Sequence, residues 1–481
     1  MNERTWRGHW WESDNPEMKI PGTLRCTEEG EATLQLIGGF DIRVRQPLPN
    51  GGGYSVSIKP RSITLIHGIS GSEKFTLLDV SHSGTWGPGF LDDEITGQNW
   101  DAIRVLRGVH LTSLDDPIFT KFRLGFERLR QWSNRSAFVV TKEKREGNPR
   151  SARRVEIAPV DPVTARHGEL EISLRHLSRD FSYEDDVVSN EGSLSAREAA
   201  DITLTPPHPV HCKHFDETEK DLQDLLTLST YEPCGAVGRW LTYTSTRGTP
   251  KEVEVIGRQI YRTASRRKRS TERDMLFTLG DIDFENLIPK WLHTKGKART
   301  GCNILFGLRY IERGYGGTRL LGVASAAESI HRSLRSASTP ITKTEYKRLK
   351  SKILASISDE GEEIISFVKN GLHNNPTYNE RMTELASIPD ETAVDSLLGD
   401  RDRWATRLKR ARNDLAHANE RSSDGVENLE AFWLLEVTYA LLCLVLMAEI
   451  GISPENQRRA VVENSVIRRA SDEFKKGSEE D

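Results

Sequence analysis

The chain has little cysteine. Five are scattered through 481 residues (Cys26, Cys212, Cys234, Cys302 and Cys443), an odd number at no regular spacing. That excludes a disulfide scaffold and suits a reducing compartment. Long hydrophobic runs are also missing. The most apolar stretch, Val437 to Ala448, is twelve residues between Glu436 and Glu449. A charge-free run of that length is too short to cross a bilayer. The opening MNERTWRGHWW has no apolar core of the signal-peptide kind. A cytoplasmic protein with no membrane partner is therefore expected. Nor is there an excess of one charge. The net charge is −4, from 67 basic and 71 acidic residues. Any attraction to nucleic acid must then be local. There is no repeat of fixed period. Lys295-Gly296-Lys297 lacks the frame of a phosphate-binding P-loop.

The length allows roughly two or three domains. From about Trp6 to Tyr261 the chain is β-rich. Ala32 to Ile37, Ser62 onward, Lys74 to Asp79, Ser136 to Val140 and Gly168 to Ser173 are short runs. Several alternate apolar with polar, as half-buried strands do. Pro47 to Gly53 and Gly84 to Gly89 punctuate them as turns. Lys142 to Arg153 and Ser189 to Glu198 are polar loops by composition. Many strands and few helices indicate a sandwich or open barrel. Asp216 to Ser229 is an amphipathic helix with acidic residues in its first turn. Strand-like Val237 to Thr244 and Lys251 to Tyr261 follow. Arg262 to Arg273 is strongly basic, either a solvated loop or a nucleic-acid contact.

From about Asp281 the pattern is helical. Helices are expected at Phe284 to His293 and Cys302 to Arg313, joined by a Lys/Gly loop. More follow at Arg319 to Arg335, Thr344 to Ile357, Gly361 to Asn370, Tyr378 to Ala386 and Val426 to Ile450. The fold class is thus α+β multidomain, a β-rich region followed by an all-α bundle. The divisions are 1–275, a helical connector 276–318, a bundle 319–470 and a frayed tail 471–481.

The stretch Arg401 to Glu420 carries the chemistry. Trp404, Leu408, Ala411 and Leu415 recur at helical spacing, so one face is apolar. Arg403, Arg407, Lys409 and Arg410 are candidate RNA-binding cations on the other faces. The stretch leads through Arg412, Asn413 and Asp414 to His417. Histidine takes and returns protons near neutrality. Arginine stays charged and grips a phosphate at two points. Together they are enough to cut RNA without a cofactor. Arg412 and Asn413 are the candidate partners of His417, with Asp414 in support. On an ideal helix Asn413 shares a face with His417. Arg412 lies about 140° away, a gap for its long side chain or a second copy of the helix to close. About one such R-x4-H spacing is expected by chance in an arginine-rich chain. A second, Arg4 and His9, sits in the tryptophan-rich start.

The R-N-D-L-A-H stretch, set between helices with a long apolar helix behind it, resembles the HEPN superfamily of helical ribonucleases. Their signature is R-x4-6-H with a polar residue after the arginine, positions filled by Arg412, Asn413 and His417. Gly8 to Phe40, with its G-x-W-W start, P-G-x-L turn and strand ending in L-x-G, resembles the opening of the ApeA family of bacterial anti-phage proteins. The two resemblances imply an N-terminal sensing or regulatory module, open to a phage-derived trigger, and a C-terminal endoribonuclease. They imply an abortive-infection toxin that cleaves RNA, with transfer RNA as the family-level substrate, and a homodimer formed through the helical domain. Glu328 would be the acidic residue that such proteins often turn toward the site; pairing with Arg332 one turn on is the other reading. The competing functional class is a non-catalytic RNA- or protein-binding module with a regulatory role.

Val426 to Ile450 is apolar on nearly every side, so protein surrounds it, either in its own bundle or at a dimer interface. His208, His211, Cys212 and His214 have the look of metal ligands. Zinc sites need a second pair, and Cys234 stands alone, so no metal is assigned.

Overall fold

The computed structural model describes residues 3–47, 54–58, 61–86, 96–143, 152–186, 191–259, 261, 274–311, 314–335, 339, 341–416 and 425–477. The chain divides into two compact units. One holds residues 1–226 with 234–268, the other 227–233 with 269–481.

In the first unit, strands β1 (Arg4–Glu12), β2 (Ile20–Cys26), β3 (Ala32–Ile37), β4 (Arg43–Pro47), β5 (Tyr54–Ile58), β6 (Ser62–Ser70), β7 (Glu73–Trp86) and β8 (Gly97–Arg107) come first. β4 and β5 form a separate antiparallel pair. The others close on themselves in the order β8-β3-β2-β1-β6-β7, with β7 pairing back onto β8. The result is a six-stranded antiparallel barrel rather than an open one. Alternation makes it possible. In β3, Ala32, Leu34 and Leu36 are buried while Thr33 and Gln35 are only partly so. Trp10, Leu24, Phe75, Leu77, Trp100 and Val105 fill the interior.

β8 is where the sheet branches. Its Gly97–Ala102 half pairs with β3, and its Arg104–Arg107 half pairs with β16. The next elements are β9 (Phe119–Phe126), α1 (Leu129–Trp132), β10 (Phe138–Glu143), β11 (Ala152–Ile157), β12 (Val163–His167), β13 (Leu170–Asp186), β14 (Glu191–Thr205), α2 (Asp216–Thr230), β15 (Ala236–Thr244) and β16 (Pro250–Gly257). From β16 the sheet continues through β15, β9, β14 and β13 to β12. The polar stretch 189–198 is therefore mostly strand. Its residues 191–198 pair with β13, because backbone pairing tolerates a polar sequence. The basic run 262–273 lies outside the described residues.

The helical unit is built from α3 (Phe284–Lys297), α4 (Arg299–Tyr310), α5 (Gly316–Leu334), α6 (Lys343–Ser356), α7 (Glu362–Gly371), α8 (Tyr378–Ala386), α9 (Glu391–Leu398), α10 (Arg401–Ala416), α11 (Gly425–Glu449), α12 (Pro454–Glu463) and α13 (Ser465–Lys476). The expected Lys/Gly loop does not exist. α3 runs through Lys295 and Lys297, and one residue, Ala298, separates it from α4. Lys295 is wholly buried and donates to Asn303 Oδ1 at 3.0 Å. α3 and α4 are part of the bundle rather than a connector; Trp291 and Phe306 are fully buried.

α11 is the centre. Tyr439 through Met447 are each at most 1% exposed, and α3, α5, α8, α9, α10, α12 and α13 all pack on it. Leu429–Glu449 has the length and hydropathy of a membrane span once its few charges are admitted. Its burial inside the bundle accounts for that apolarity. The small residues Ala324, Ala326 and Ala327 of α5 are fully buried, allowing close helix approach. The frayed tail is also corrected. α13 continues to Lys476 and seats Phe474, 5% exposed, in the core.

Candidate active site

α10 is set in place by its cap and its apolar face. The Asp400 carboxylate accepts from the backbone N–H of Arg403 at 2.9 Å, an N-cap bond. Trp404, fully buried, donates from Nε1 to Thr438 Oγ1 of α11 at 2.9 Å. Leu408 and Ala405 complete the buried stripe. α8 runs alongside. Thr383 Oγ1 donates to Asp402 Oδ1 at 3.3 Å, and Asn379 Nδ2 donates to Thr406 Oγ1 at 3.4 Å. At the far end Leu415 leans on Gly317 of α5, where a Cβ would lie 2.9 Å from Leu415 Cδ2.

This framing delivers Arg412 to the surface between α5 and α8. Its Nη2 lies 3.3 Å from Glu328 Oε2. Its guanidinium carbon sits 5.1 Å from the Tyr378 ring centroid, within the range of a cation–π contact. The Tyr378 hydroxyl donates to the Ala324 carbonyl at 3.3 Å. Burial pushes its phenol up from the ordinary range, so the ring stays neutral. The other Glu328 oxygen accepts from Arg332 at 2.6 Å. Glu328 thus contacts both Arg332, its helix neighbour, and Arg412. One carboxylate between two guanidinium groups leaves a net positive charge. With Arg412 about a third exposed and Arg332 more so, the cluster suits an anion such as a phosphate oxygen.

The other expected residues divide. Asn413 and Asp414 are half-buried on the same last turns, and Asp414 stands 4.0 Å from Arg410. Lys409 and Arg410 are exposed. Arg407 is not. It donates to the Gly477 carbonyl at 3.0 Å, lies over Phe474 and faces Glu430. Arg403 is half-buried. His417 lies outside the described residues, so its place relative to Arg412 is not part of this geometry.

Tyr378 was not legible in the sequence, because its contact depends on α8 lying beside α10. The groove between those helices, about 520 Å³, is lined by Glu380, Glu384 and Asp402 and by neutral residues. No lysine or arginine lines it, and Glu384 is bonded to His331 Nε2 at 2.9 Å, so its three carboxylates make it a poor place for a phosphate. Also unforeseen is a buried cation in the core. Arg309 of α4 donates to Glu436 of α11 at 2.9 Å, its guanidinium carbon 3.9 Å from the Tyr439 ring centroid and 4.8 Å from that of Tyr231. In the β-rich unit, His211 and His214 meet edge to face at 6.0 Å and Cys212 is buried. Among the described residues no three His, Cys, Asp or Glu side chains gather as a metal site.

Two family models match the sequence. One, described as ApeA N-terminal domain 1, covers residues 5–291. The other, described as Apea-like HEPN, covers residues 321–456. The comparisons with curated proteins and with solved structures returned no match.

Proposed function

Since the chain belongs to the ApeA family, with an ApeA N-terminal domain followed by an ApeA-like HEPN domain, we propose that it is a cytoplasmic, metal-independent endoribonuclease of an anti-phage system. Arg412, Asn413 and His417 carry the reaction. The 2'-hydroxyl of an unpaired nucleotide attacks the adjacent phosphorus and gives up its proton. The bond to the 5'-oxygen breaks, and that oxygen takes a proton on leaving. The products are a 2',3'-cyclic phosphate and a 5'-hydroxyl. His417 moves the protons, and Arg412 steadies the charge on the phosphorus oxygens. Single-stranded or loop RNA is the substrate class, transfer RNA included, because an unstacked nucleotide reaches the in-line geometry. The N-terminal domain is the regulatory part, answering a phage-derived trigger.

The observation that supports this reading most directly is Arg412 itself. It is held by Glu328 and Tyr378 near the end of α10, about a third exposed and next to Asn413. The test is cleavage of a labelled transfer RNA by the full chain in the presence of EDTA. The wild type is expected to cut. His417→Ala is expected to lose at least a hundredfold in rate with unchanged circular dichroism. Normal cutting by that variant removes His417 from the reaction. RNA binding with no cutting by the wild type under activating conditions favours the non-catalytic module instead.

A further inference from the structure

Tyr315, just before α5, is 88% exposed, more than any other large hydrophobic side chain among the described residues. Exposure of that degree leaves both faces of its ring open. Glycines flank it, Gly314 on one side and Gly316 and Gly317 on the other. A Cβ on Gly316 would meet nothing within 4 Å. Arg319 lies one turn on, its backbone N–H donating to the Tyr315 carbonyl at 3.1 Å. A helical side chain tilts back toward the start of its helix. The stem of Arg319 does so: its Cγ and Cδ lie 3.7 and 3.8 Å from where a Gly314 Cβ would be. Its Nε is buried without a partner, and among the described residues no carboxylate pairs with it. Arg332 and Arg412, by contrast, share Glu328.

The tyrosine and the arginine stand beside the candidate site. Gly317 meets Leu415, which follows Arg412 by three residues and precedes His417 by two. Two residues of chain span at most about 7 Å, so Tyr315 is within a nucleotide's reach of the end of α10. An open ring next to an uncompensated guanidinium fits a base and its phosphate. A duplex offers no free base face, and an apolar protein surface would leave Arg319 without an anion. We propose that Tyr315 and Arg319 form a subsite for the unpaired nucleotide next to the one that is cut. The ring stacks on the base and the guanidinium holds the phosphate. This rests on the nuclease reading and adds to it a means of choosing unpaired RNA. Stacking accepts any base, so the subsite selects for single strands and not for sequence.

The probe is a single strand of about ten nucleotides with 2-aminopurine at alternate positions, every 2'-oxygen methylated so that it cannot be cut. Binding to the full chain should quench its fluorescence. Tyr315→Ala should abolish the quench and weaken binding about fivefold to a hundredfold, and Tyr315→Trp should keep both. Arg319→Gln should weaken binding and lower the slope of log Kd against log salt by about 0.7, one phosphate on a single strand. A blunt duplex of the same sequence should bind wild type and Tyr315→Ala alike. A wild type that does not bind or quench the single strand overturns the subsite, as does undiminished affinity in Tyr315→Ala. So does an equal loss on the duplex, or an unchanged salt slope in Arg319→Gln. The nuclease reading is scored apart, on cleavable RNA. A wild type that quenches the probe but never cuts sinks the nuclease and keeps the subsite as one for binding. Cutting by Tyr315→Ala at the wild-type KM sinks the subsite and keeps the nuclease.

Discussion

Glu328 is the side chain on which the candidate site turns, because it decides where Arg412 points. Its two oxygens are divided between Arg412 and Arg332. In Glu328→Gln the shape is kept and the charge removed. The cluster then gains one unit of positive charge, so RNA should bind no more weakly. Arg412 loses its ion-pair partner and wanders. Misplacement of about 1 Å costs on the order of a hundredfold in rate. The expected outcome is a kcat reduced tenfold to a hundredfold with KM unchanged or lower, measured as initial cleavage rates over RNA concentration. A raised KM at full kcat would mean that Glu328 serves binding, not placement. Arg412 and Asn413 could be singled out because they are neighbours in sequence. Tyr378 could not, since nothing within α8 distinguishes a tyrosine packed under a guanidinium from an ordinary helix-surface ring.

α10 shows what a single element contributes. Its start is fixed by Asp400 and Trp404, its middle by buried Leu408, and Arg412 lies about three turns from the cap. Asp400→Ala removes one cap bond and should cost about 1 kcal/mol, read from the midpoint of urea unfolding. The cleavage rate at 25 °C should not change, because the far end is held independently by Leu415 and Glu328. A large loss of rate would show that fraying at the start propagates to the site. The same local signals explain what could be read of the fold. Strand β3 and helix α8 fall at their expected bounds, because alternation in one and a capping box at Thr377 in the other are local. α9, α12 and α13 escaped. α9 is only eight residues long. Ser453-Pro454 is a start signal for α12 that resembles a stop for α11. α13 shows its apolar side only once Ile467, Ala470 and Phe474 find a core.

At the scale of the whole chain, a near-neutral balance of −4 hides charges placed in the interior. Arg309 and Glu436 join α4 to the central helix α11 at 2.9 Å, with the Arg309 side chain 15% and Glu436 6% exposed. Tyr439 lies 3.9 Å and Tyr231 4.8 Å from the guanidinium carbon. Burial pushes both phenols well up, so they stay neutral and leave the arginine's charge to Glu436 alone. Glu436→Gln would strand a buried cation, which costs about 3 to 5 kcal/mol. Most of the loss should fall on the helical unit. Hydrogen exchange followed by mass spectrometry should show faster exchange in peptides from α4 and α11, with β3 and β8 as the reference. Arg309→Met/Glu436→Leu removes both charges and keeps the volume, so it should recover most of the protection, as apolar replacements of buried ion pairs often do. If the double variant were as labile as the single one, the pair would be needed for its shape rather than its charge balance. The two rings stacked against Arg309 would then be what orders the centre of the bundle.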